Sequence, residues 1–354
     1  MLEPLADARV AGEVTGDFVD GMRSAFARAA ASRGIVEGRI RVAGRSVRLE
    51  FAGAALTACV MPALEHLAAS PGPRTELTIR LMDSVSTGVS PPQAPWSSDS
   101  YLARGDVLHD LGAGWHVWFS TVSGILNLYD RRTRTAFAWL RDPACVPAWE
   151  LAAPLRSIFG WWADGLGMQL AHGAAVGRGT KGALLTGPGG LGKSTLSLAC
   201  LEAGMHYAGD DYVLVGSDPR PTVHSLYSSA KLERTQLGAS FPALRRLAVA
   251  QRTEQDDKAT LLLYPSHRPQ MVEDLDLVAI VVPKRSGSRE ARVRSASPIE
   301  VLTALAPSSL FLVPGAGRSA FDALGRLARR LPGYVLDLGP DTAANVAAIE
   351  GLLA

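Results

Sequence analysis

The segment from Gly187 to Ser194 reads Gly-Pro-Gly-Gly-Leu-Gly-Lys-Ser and constrains the fold more than any other part of the chain. It fits the pattern G-x-x-x-x-G-K-[ST] at every specified position. The run "GALLTG" leading into it is typical of a short buried strand, and "STLSLACLEAG" after it predicts a helix that ends at Gly204. A strand, a glycine-rich loop and a helix in this order predict an α/β fold with a phosphate-binding loop.

The chemistry of this loop explains the residue types. Glycines allow several backbone N–H groups to converge on phosphate oxygens, Lys193 adds a positive charge, and the Ser194 hydroxyl can bind Mg²⁺. We expect Lys193 to be exposed when no nucleotide is bound. The alternative is a glycine-rich turn with an exposed lysine, and the strand and helix on either side favour the nucleotide site. The predicted nucleotide contacts are Gly187, Gly189, Gly190, Leu191, Gly192, Lys193, Ser194 and Thr195.

Two adjacent carboxylates, Asp210 and Asp211, follow the loop closely in "MHYAGDDYVLV". Neighbouring strand residues point to opposite faces of a sheet, so both acids reach one site only at a strand end or a bulge. One carboxylate could then hold Mg²⁺ through its water shell, and the other could accept the proton of an attacking hydroxyl. The alternative is a solvated turn, for which "GDD" is also typical.

A histidine begins the run just before the loop strand. If "HGAAVG" and "KGALLTG" form adjacent antiparallel strands that turn through residues 178–180, His172 lies near the acid pair. The alternative is a histidine that packs in the core without a chemical role.

Composition narrows the function classes. The chain has 354 residues, 47% hydrophobic and 20% charged, with 36 basic and 34 acidic residues, so its charge favours neither nucleic acid nor membranes as partners. The apolar runs are too short to cross a bilayer and the N-terminus lacks a signal pattern, which predicts a cytoplasmic protein. Cys59, Cys145 and Cys200 have no metal-ligand spacing, and we expect all three in the core.

The pattern changes near Pro147, which predicts an α+β N-terminal domain at 1–146 and the phosphate-loop domain at 147–354. One helix is expected over 148–170, as a connection between the halves. The N-terminal half carries no chemical motif and could recognise the substrate or form a homo-oligomer. Trp115 and Trp118 could line a peptide groove there, although core packing is the more ordinary use of large aromatic residues.

The run "HGAAV" followed by "GALLTGPGGLGKSTLSLACLEAGMHYAGDDYVLV" resembles the C-terminal catalytic domain of HPr kinase/phosphorylase, whose fold is related to phosphoenolpyruvate carboxykinase. The resemblance implies that ATP and Mg²⁺ are bound, with Lys193 and Ser194 on the phosphates. It also implies that Asp210 is the catalytic base, that His172 assists it and that Asp211 supports Mg²⁺ with Ser194. The order of roles within the aspartate pair stays open.

Other segments depart from that family. No "E-x-R-G-x-G" segment follows the acid pair, so phosphorylase activity is not expected. The segments "SLYSSAKLERTQL" and "DDKATLLLY" instead resemble HPr-kinase-related proteins of ribosomal-peptide clusters, including lasso-peptide kinases that phosphorylate a serine of the precursor peptide. Their lysines, Lys231 and Lys258, could neutralise γ-phosphate charge or be ordinary surface lysines. Arg318 is a further candidate.

The resemblance therefore implies an ATP-dependent serine kinase whose partner is a precursor peptide or a small protein. Three alternatives stay open at this point. The acceptor could be a free hydroxyl metabolite such as serine, or the chain could be a nucleotide-binding regulator without catalysis. A carboxykinase activity would need additional arginine and metal-ligand residues that we do not find in the sequence.

Overall fold

The computed structural model describes residues 7–72, 74–97, 100, 106–110, 114–252, 257–312 and 317–354, and they form a mixed α/β fold. Its α-helices are α1 (Asp7–Arg33), α2 (Thr57–Leu64), α3 (Ser84–Thr87), α4 (Ala148–Ala152), α5 (Arg156–Asp164), α6 (Lys193–Glu202), α7 (Arg234–Ser240), α8 (Pro298–Leu312), α9 (Arg318–Arg330) and α10 (Thr342–Leu353). Short 3₁₀ turns cover Glu65–Leu67, Pro143–Cys145, Pro242–Leu247 and Arg268–Gln270.

Strands alternate with these helices along the chain. They are β1 (Ile35–Val42), β2 (Arg45–Ala52), β3 (Leu77–Asp83), β4 (Asp106–Asp110), β5 (Trp115–Ser120), β6 (Ile125–Asp130), β7 (Thr135–Leu140), β8 (Met168–Arg178), β9 (Lys181–Thr186), β10 (His206–Gly209), β11 (Tyr212–Gly216), β12 (Thr222–His224), β13 (Ser229–Glu233), β14 (Lys258–Leu262), β15 (Asp274–Lys284), β16 (Arg292–Ala296) and β17 (Gly333–Asp337).

The N-terminal strands form one sheet in the order β1-β2-β3-β7-β6-β5-β4. Strands β1 and β2 form an antiparallel hairpin, and its tight turn places Ala43 and Gly44 at positive φ. Helix α1 packs on one face of the sheet, while α2 and α5 pack on the other. Trp115 and Trp118 are both buried, but they belong to these two different clusters and do not form a groove.

The second sheet has the order β10-β8-β11-β12-β15-β17-β16, with β9 between β8 and β15. Strands β10 and β11 follow one another along β8, and both are antiparallel to it. The predicted antiparallel pairing of "HGAAVG" with "KGALLTG" is confirmed, since Gly173 pairs with Thr186 and Arg178 with Lys181. Strand β15 runs parallel to β9, which brings the carboxyl ends of both strands to the same edge.

The single helix expected over 148–170 is wrong. The segment forms two short helices, α4 and α5, and the last residues belong to strand β8. Pro154 interrupts the helix because proline has no backbone N–H to donate, and because its ring disfavours helical geometry at the preceding residue. Leu155 then adopts a left-handed φ of 60°. The chain therefore turns between α4 and α5.

One apolar core crosses the boundary that the sequence suggests near Pro147. It contains Leu49 and Phe159 together with Leu214 and Tyr227, so both sheets contribute to it. The division into two domains stays a prediction. Cys59 and Cys200 are buried as expected, whereas Cys145 is exposed because its 3₁₀ turn lies at the surface. Within the described ranges, no helix has both the length and the apolarity needed to cross a bilayer.

Candidate functional site

The phosphate loop has the predicted local structure. Strand β9 leads into Gly187–Gly192, and helix α6 begins at Lys193. Gly187, Gly190 and Gly192 have φ of 132°, 82° and 100°, a region that residues with a side chain avoid. Positive φ at these positions lets successive N–H groups turn toward one concave surface, as in phosphate-binding loops. A Cβ at Gly189 or Gly190 would meet nothing within 4 Å, so space is open above the loop.

Helix α6 ends as its sequence predicts. Gly204 has a φ of 80°, its N–H donates to the Leu201 carbonyl at 2.9 Å, and the Met205 N–H donates to the Cys200 carbonyl at 3.0 Å. These two bonds form a Schellman cap, which stops the helix and turns the chain into β10.

Lys193 is buried, contrary to the exposure expected from the sequence. Its ammonium donates to the carbonyl oxygens of Gly187 (2.6 Å) and Pro188 (3.0 Å), so the side chain folds back into its own loop. Burial lowers the pKa of Lys193, and the nearby Asp210 opposes that effect. The Lys193 ammonium therefore lies inside the concave loop, where it is held by the loop carbonyls.

The acid pair lies at an interruption between β10 and β11. Gly209 and Asp211 have φ of 150° and 68°, and the Tyr212 N–H donates to the Asp210 carbonyl at 2.8 Å, which closes a tight turn. The pairing register along β8 shifts between Tyr207 and Gly209. The break in the strand brings both carboxylates to one cleft, as expected for two adjacent acids that share a site.

Asp210 is the acid on the side of the phosphate loop. Its carboxylate accepts from the Lys231 backbone N–H at 3.3 Å and from the Ser197 hydroxyl at 3.4 Å, and the neighbouring Ser194 hydroxyl also favours its charged form. It is 1% exposed. Burial, and next the neighbouring Asp211 carboxylate, raise the pKa of Asp210. A divalent cation beside Asp210 and Ser194 would offset the cost of a buried carboxylate.

Asp211 has the opposite electrostatic surroundings. Burial works against its charged form, but the Lys231 ammonium at 2.7 Å and the His172 imidazole outweigh burial and hold the pKa of Asp211 well below its usual range. His172 Nε2 lies 3.2 Å from the carboxylate, and the His172 backbone N–H donates to the Ser309 hydroxyl of α8 at 3.0 Å. Asp211 is therefore ionised and fixed between two basic side chains.

We call His172, Asp210, Asp211 and Lys231 the acid centre. The resemblance pairs His172 with Asp210, but in the structure the histidine contacts Asp211. The reason is local: His172 lies opposite Tyr212 in the β8–β11 register, next to Asp211, whereas Asp210 turns toward Ser194.

The loop and the acid centre line one cleft of about 460 Å³. Most of the residues that the sequence predicts are in its wall: His172, Gly189, Gly190, Gly192, Lys193, Ser194, Thr195, Asp210, Asp211, Lys231 and Lys258. Gly187 and Leu191 shape the loop without lining the cleft. Lys258 lies at the rim, half-exposed, with its ammonium 3.6 Å from the Glu233 carboxylate. Arg318 is almost fully exposed, beside Asp322, and does not line the cleft.

Sequence reasoning missed part of the wall. Trp149, Tyr212, Gln236, Arg285 and Ser308 line the cleft although no motif marks them. A signal exists only for Arg285, which follows the apolar run of β15. Because β15 and β9 are parallel, the residue after β15 lies beside the phosphate loop. Trp149 and Gln236 come from short helices whose placement depends on tertiary packing.

Comparisons with known proteins add little to this geometry. No protein-family model matches the sequence, and no curated protein matches it. Among solved structures, the HPr(Ser) kinase/phosphatase from Coxiella burnetii aligns with 52% of this chain and 87% of its own length. The sequence identity is 12% and the TM-score is 0.30.

Proposed function

We propose that this protein is an ATP-dependent kinase that transfers the γ-phosphoryl group to a serine hydroxyl. The observation that carries the proposal is that one cleft contains both the concave loop with Lys193 and an acid centre with an ionised carboxylate. Phosphoryl transfer needs these two parts, because positioning and charge stabilisation supply most of its catalysis.

The site fits a nucleotide with a divalent cation. The open space above Gly189 and Gly190 fits a phosphate chain, and the Lys193 ammonium is already inside the loop. Ser194 and Asp210 are neighbouring hard oxygen donors, and the burial cost of the Asp210 carboxylate is only partly offset by its hydrogen bonds. They would hold Mg²⁺, which when bound neutralises charge on the phosphates.

Asp211 is then the residue that accepts the proton of the acceptor hydroxyl. It is ionised, it lines the cleft, and it is not the carboxylate beside Ser194. His172 orients Asp211. Lys231 bonds Asp211 and also lines the cleft, where its ammonium can contact a phosphate. This assignment reverses the order of the two aspartates that the resemblance implies.

The acceptor that we propose is a serine of a ribosomally made precursor peptide, of the lasso-peptide type. This rests on the segments around Lys231 and Lys258 and on the lack of the "E-x-R-G-x-G" segment of the bifunctional enzymes. We also propose an HPr-kinase-like catalytic domain preceded by an α+β domain, on the run "HGAAV" with the glycine-rich loop and the acid pair that follow it.

The test is incubation with γ-labelled ATP and Mg²⁺ against separate pools of serine-bearing peptides, proteins and free hydroxyl metabolites. Label on a peptide serine is the expected result, with the Lys193→Ala variant as the control that loses it. Label on free serine alone would assign a metabolite kinase. Nucleotide binding without any transfer would favour the regulator and overturn the proposal.

A further inference from the structure

Arg156 is the first residue of α5 and does not line the cleft, yet it packs against Tyr212, which does. Its guanidinium carbon lies 5.6 Å from the centre of the Tyr212 ring and 5.8 Å from that of Trp118. Its Nη2 lies 3.3 Å from the Glu150 carboxylate, and the side chain is only 16% exposed. A largely buried arginine is thus held by two rings and one carboxylate.

The partners of Arg156 come from both parts of the chain. Trp118 is in strand β5 of the N-terminal sheet, and the Ser123 hydroxyl, from the β5–β6 turn, donates to Glu150 at 3.0 Å. Tyr212 begins β11 in the other sheet. A planar guanidinium can contact ring faces while its edge bonds a carboxylate, which the compact ammonium of lysine cannot reproduce.

Tyr212 links Arg156 to the acid centre. It pairs with His172 across β8 and β11, with ring centres 5.7 Å apart, and its N–H donates to the Asp210 carbonyl. It directly follows Asp211, whose φ of 68° is strained for a residue with a side chain. Such strain costs on the order of 1–3 kcal/mol and persists only where neighbouring packing enforces it.

We propose that Arg156 is a positioning residue for the acid centre. By fixing Tyr212 against Trp118 and Glu150, it fixes the backbone that presents Asp211 and the ring that orients His172. Through Trp118, the N-terminal sheet thereby affects turnover, although Trp118 itself does not line the cleft. The catalytic consequence rests on the proposed function, whereas the geometric one does not.

The chain offers a matched control in Arg80. Its guanidinium carbon lies 5.8 Å from the Phe26 ring and 5.7 Å from the Phe137 ring, and its Nε lies 3.0 Å from the Glu50 carboxylate. Arg80 therefore makes the same set of contacts as Arg156 but within the N-terminal sheet, away from the residues that line the cleft.

The experiment compares Arg156→Met, Arg156→Lys and Arg80→Met in the full-length protein. Three quantities are measured: Mg·ATP affinity by calorimetry, turnover of Mg·ATP with water as acceptor, and the imidazole NMR resonances of His172. The chain has seven histidines, so His172→Gln assigns the resonance.

We expect Arg156→Met to lower kcat roughly 10- to 100-fold, the scale of a small misplacement of reacting groups, with nucleotide affinity nearly unchanged. Its His172 resonance should shift or broaden, and Arg156→Lys should give intermediate values. Arg80→Met should lower Tm less, because the Arg80 side chain is 36% exposed against 16% for Arg156, and should leave kcat and the His172 resonance as in the wild type.

An unchanged His172 resonance in Arg156→Met, or an equal change in Arg80→Met, would overturn the proposal. If the wild type transfers the γ-phosphoryl group neither to water nor to a serine hydroxyl, the proposed function fails, and the His172 resonance alone still decides the role of Arg156.

Discussion

The two walls of the cleft manage charge in different ways. The phosphate loop is one continuous segment that uses backbone N–H groups and a single lysine folded onto its own carbonyls. The acid centre is assembled from β8, the β10–β11 break and β13, and it uses side chains that contact one another at hydrogen-bond distance. Its two aspartates are adjacent in the chain, yet their pKa values move in opposite directions.

This contrast teaches where substitutions act. A change in the loop should act locally, on phosphate binding and on transfer. A change in the acid centre should alter the charge state of its neighbours, and so affect stability and pH dependence as well as turnover. The following predictions test that difference, from the largest expected effect to the smallest.

The largest effect is expected for Asp211→Asn. The amide keeps the shape but cannot accept a proton, so kcat for phosphoryl transfer should fall by roughly 10³-fold, within the usual range for a general base. Mg·ATP affinity should change little. Steady-state kinetics and calorimetry measure the two quantities. Asp218→Asn is the control, because Asp218 pairs with Arg330 at the surface. Transfer at the wild-type rate would remove Asp211 from the mechanism.

Lys193→Ala should lower kcat/KM for transfer by roughly 10²- to 10³-fold, the cost of losing one preorganised charge at the phosphates. The Gly187 and Pro188 carbonyls would keep their positions, so the circular dichroism spectrum should stay unchanged. Lys181→Ala, at the far end of the same strand, is the control, since its ammonium bonds only the terminal Ala354 carbonyl among the described residues. Equal losses in both variants would contradict a role in phosphate binding.

Asp210→Asn should weaken the apparent Mg²⁺ affinity by roughly 10- to 100-fold, the usual cost of losing a metal-orienting group. High Mg²⁺ should restore much of the turnover because the proton acceptor is intact. A Mg²⁺ titration of both aspartate variants checks this. Relief by Mg²⁺ in Asp211→Asn instead would return the two acids to the order that the resemblance implies.

His172→Ala should lower turnover by roughly tenfold with nucleotide affinity unchanged, because the imidazole contacts Asp211 and not the loop. In a double-mutant cycle with Asp211→Asn the two losses should not add, as for residues that act together. Additive losses would mean that the His172–Asp211 contact has no part in turnover.

The smallest effects are in stability, and their signs should be opposite. Burial raises the pKa of Asp210, so its contribution is fully present below the unfolded pKa of about 4 and is lost as the pH rises through the folded pKa. Asp210→Asn should therefore stabilise the protein at neutral pH, with the gain vanishing toward acidic pH.

Asp211 shows the reverse linkage. Its folded pKa is depressed, so its stabilisation is present above about pH 4 and is lost as the pH falls through the folded pKa. Asp211→Asn should cost about 2 kcal/mol at neutral pH, because Lys231 loses a partly buried partner. Urea unfolding of both variants at pH 7 and pH 4 measures the pair. Shifts of the same sign would contradict the described difference between the two acids.

Much of the cleft could be predicted because its chemistry lies in short, local patterns. The strand, loop and helix around Lys193 need only residues that are close in the chain, and Gly204 marks the end of the helix. The break at Asp210 and Asp211 also follows from local geometry, since two adjacent acids cannot share a face of a regular strand. Pro154 was a local signal for a helix break, but the apolar periodicity of the segment favoured one continuous helix.

What the sequence determined by itself is the strand, glycine-rich loop and helix around Lys193, the strand pair that brings His172 near the acids, and the alternation of α and β elements. Only the tertiary structure decided that Lys193 is buried, that His172 contacts Asp211, and that Lys231 bonds the same carboxylate. The position of Arg156 against Tyr212 also depends on how the two sheets pack. The physical reason is that hydrogen-bond geometry and burial between distant segments depend on packing, which periodicity in one segment does not encode.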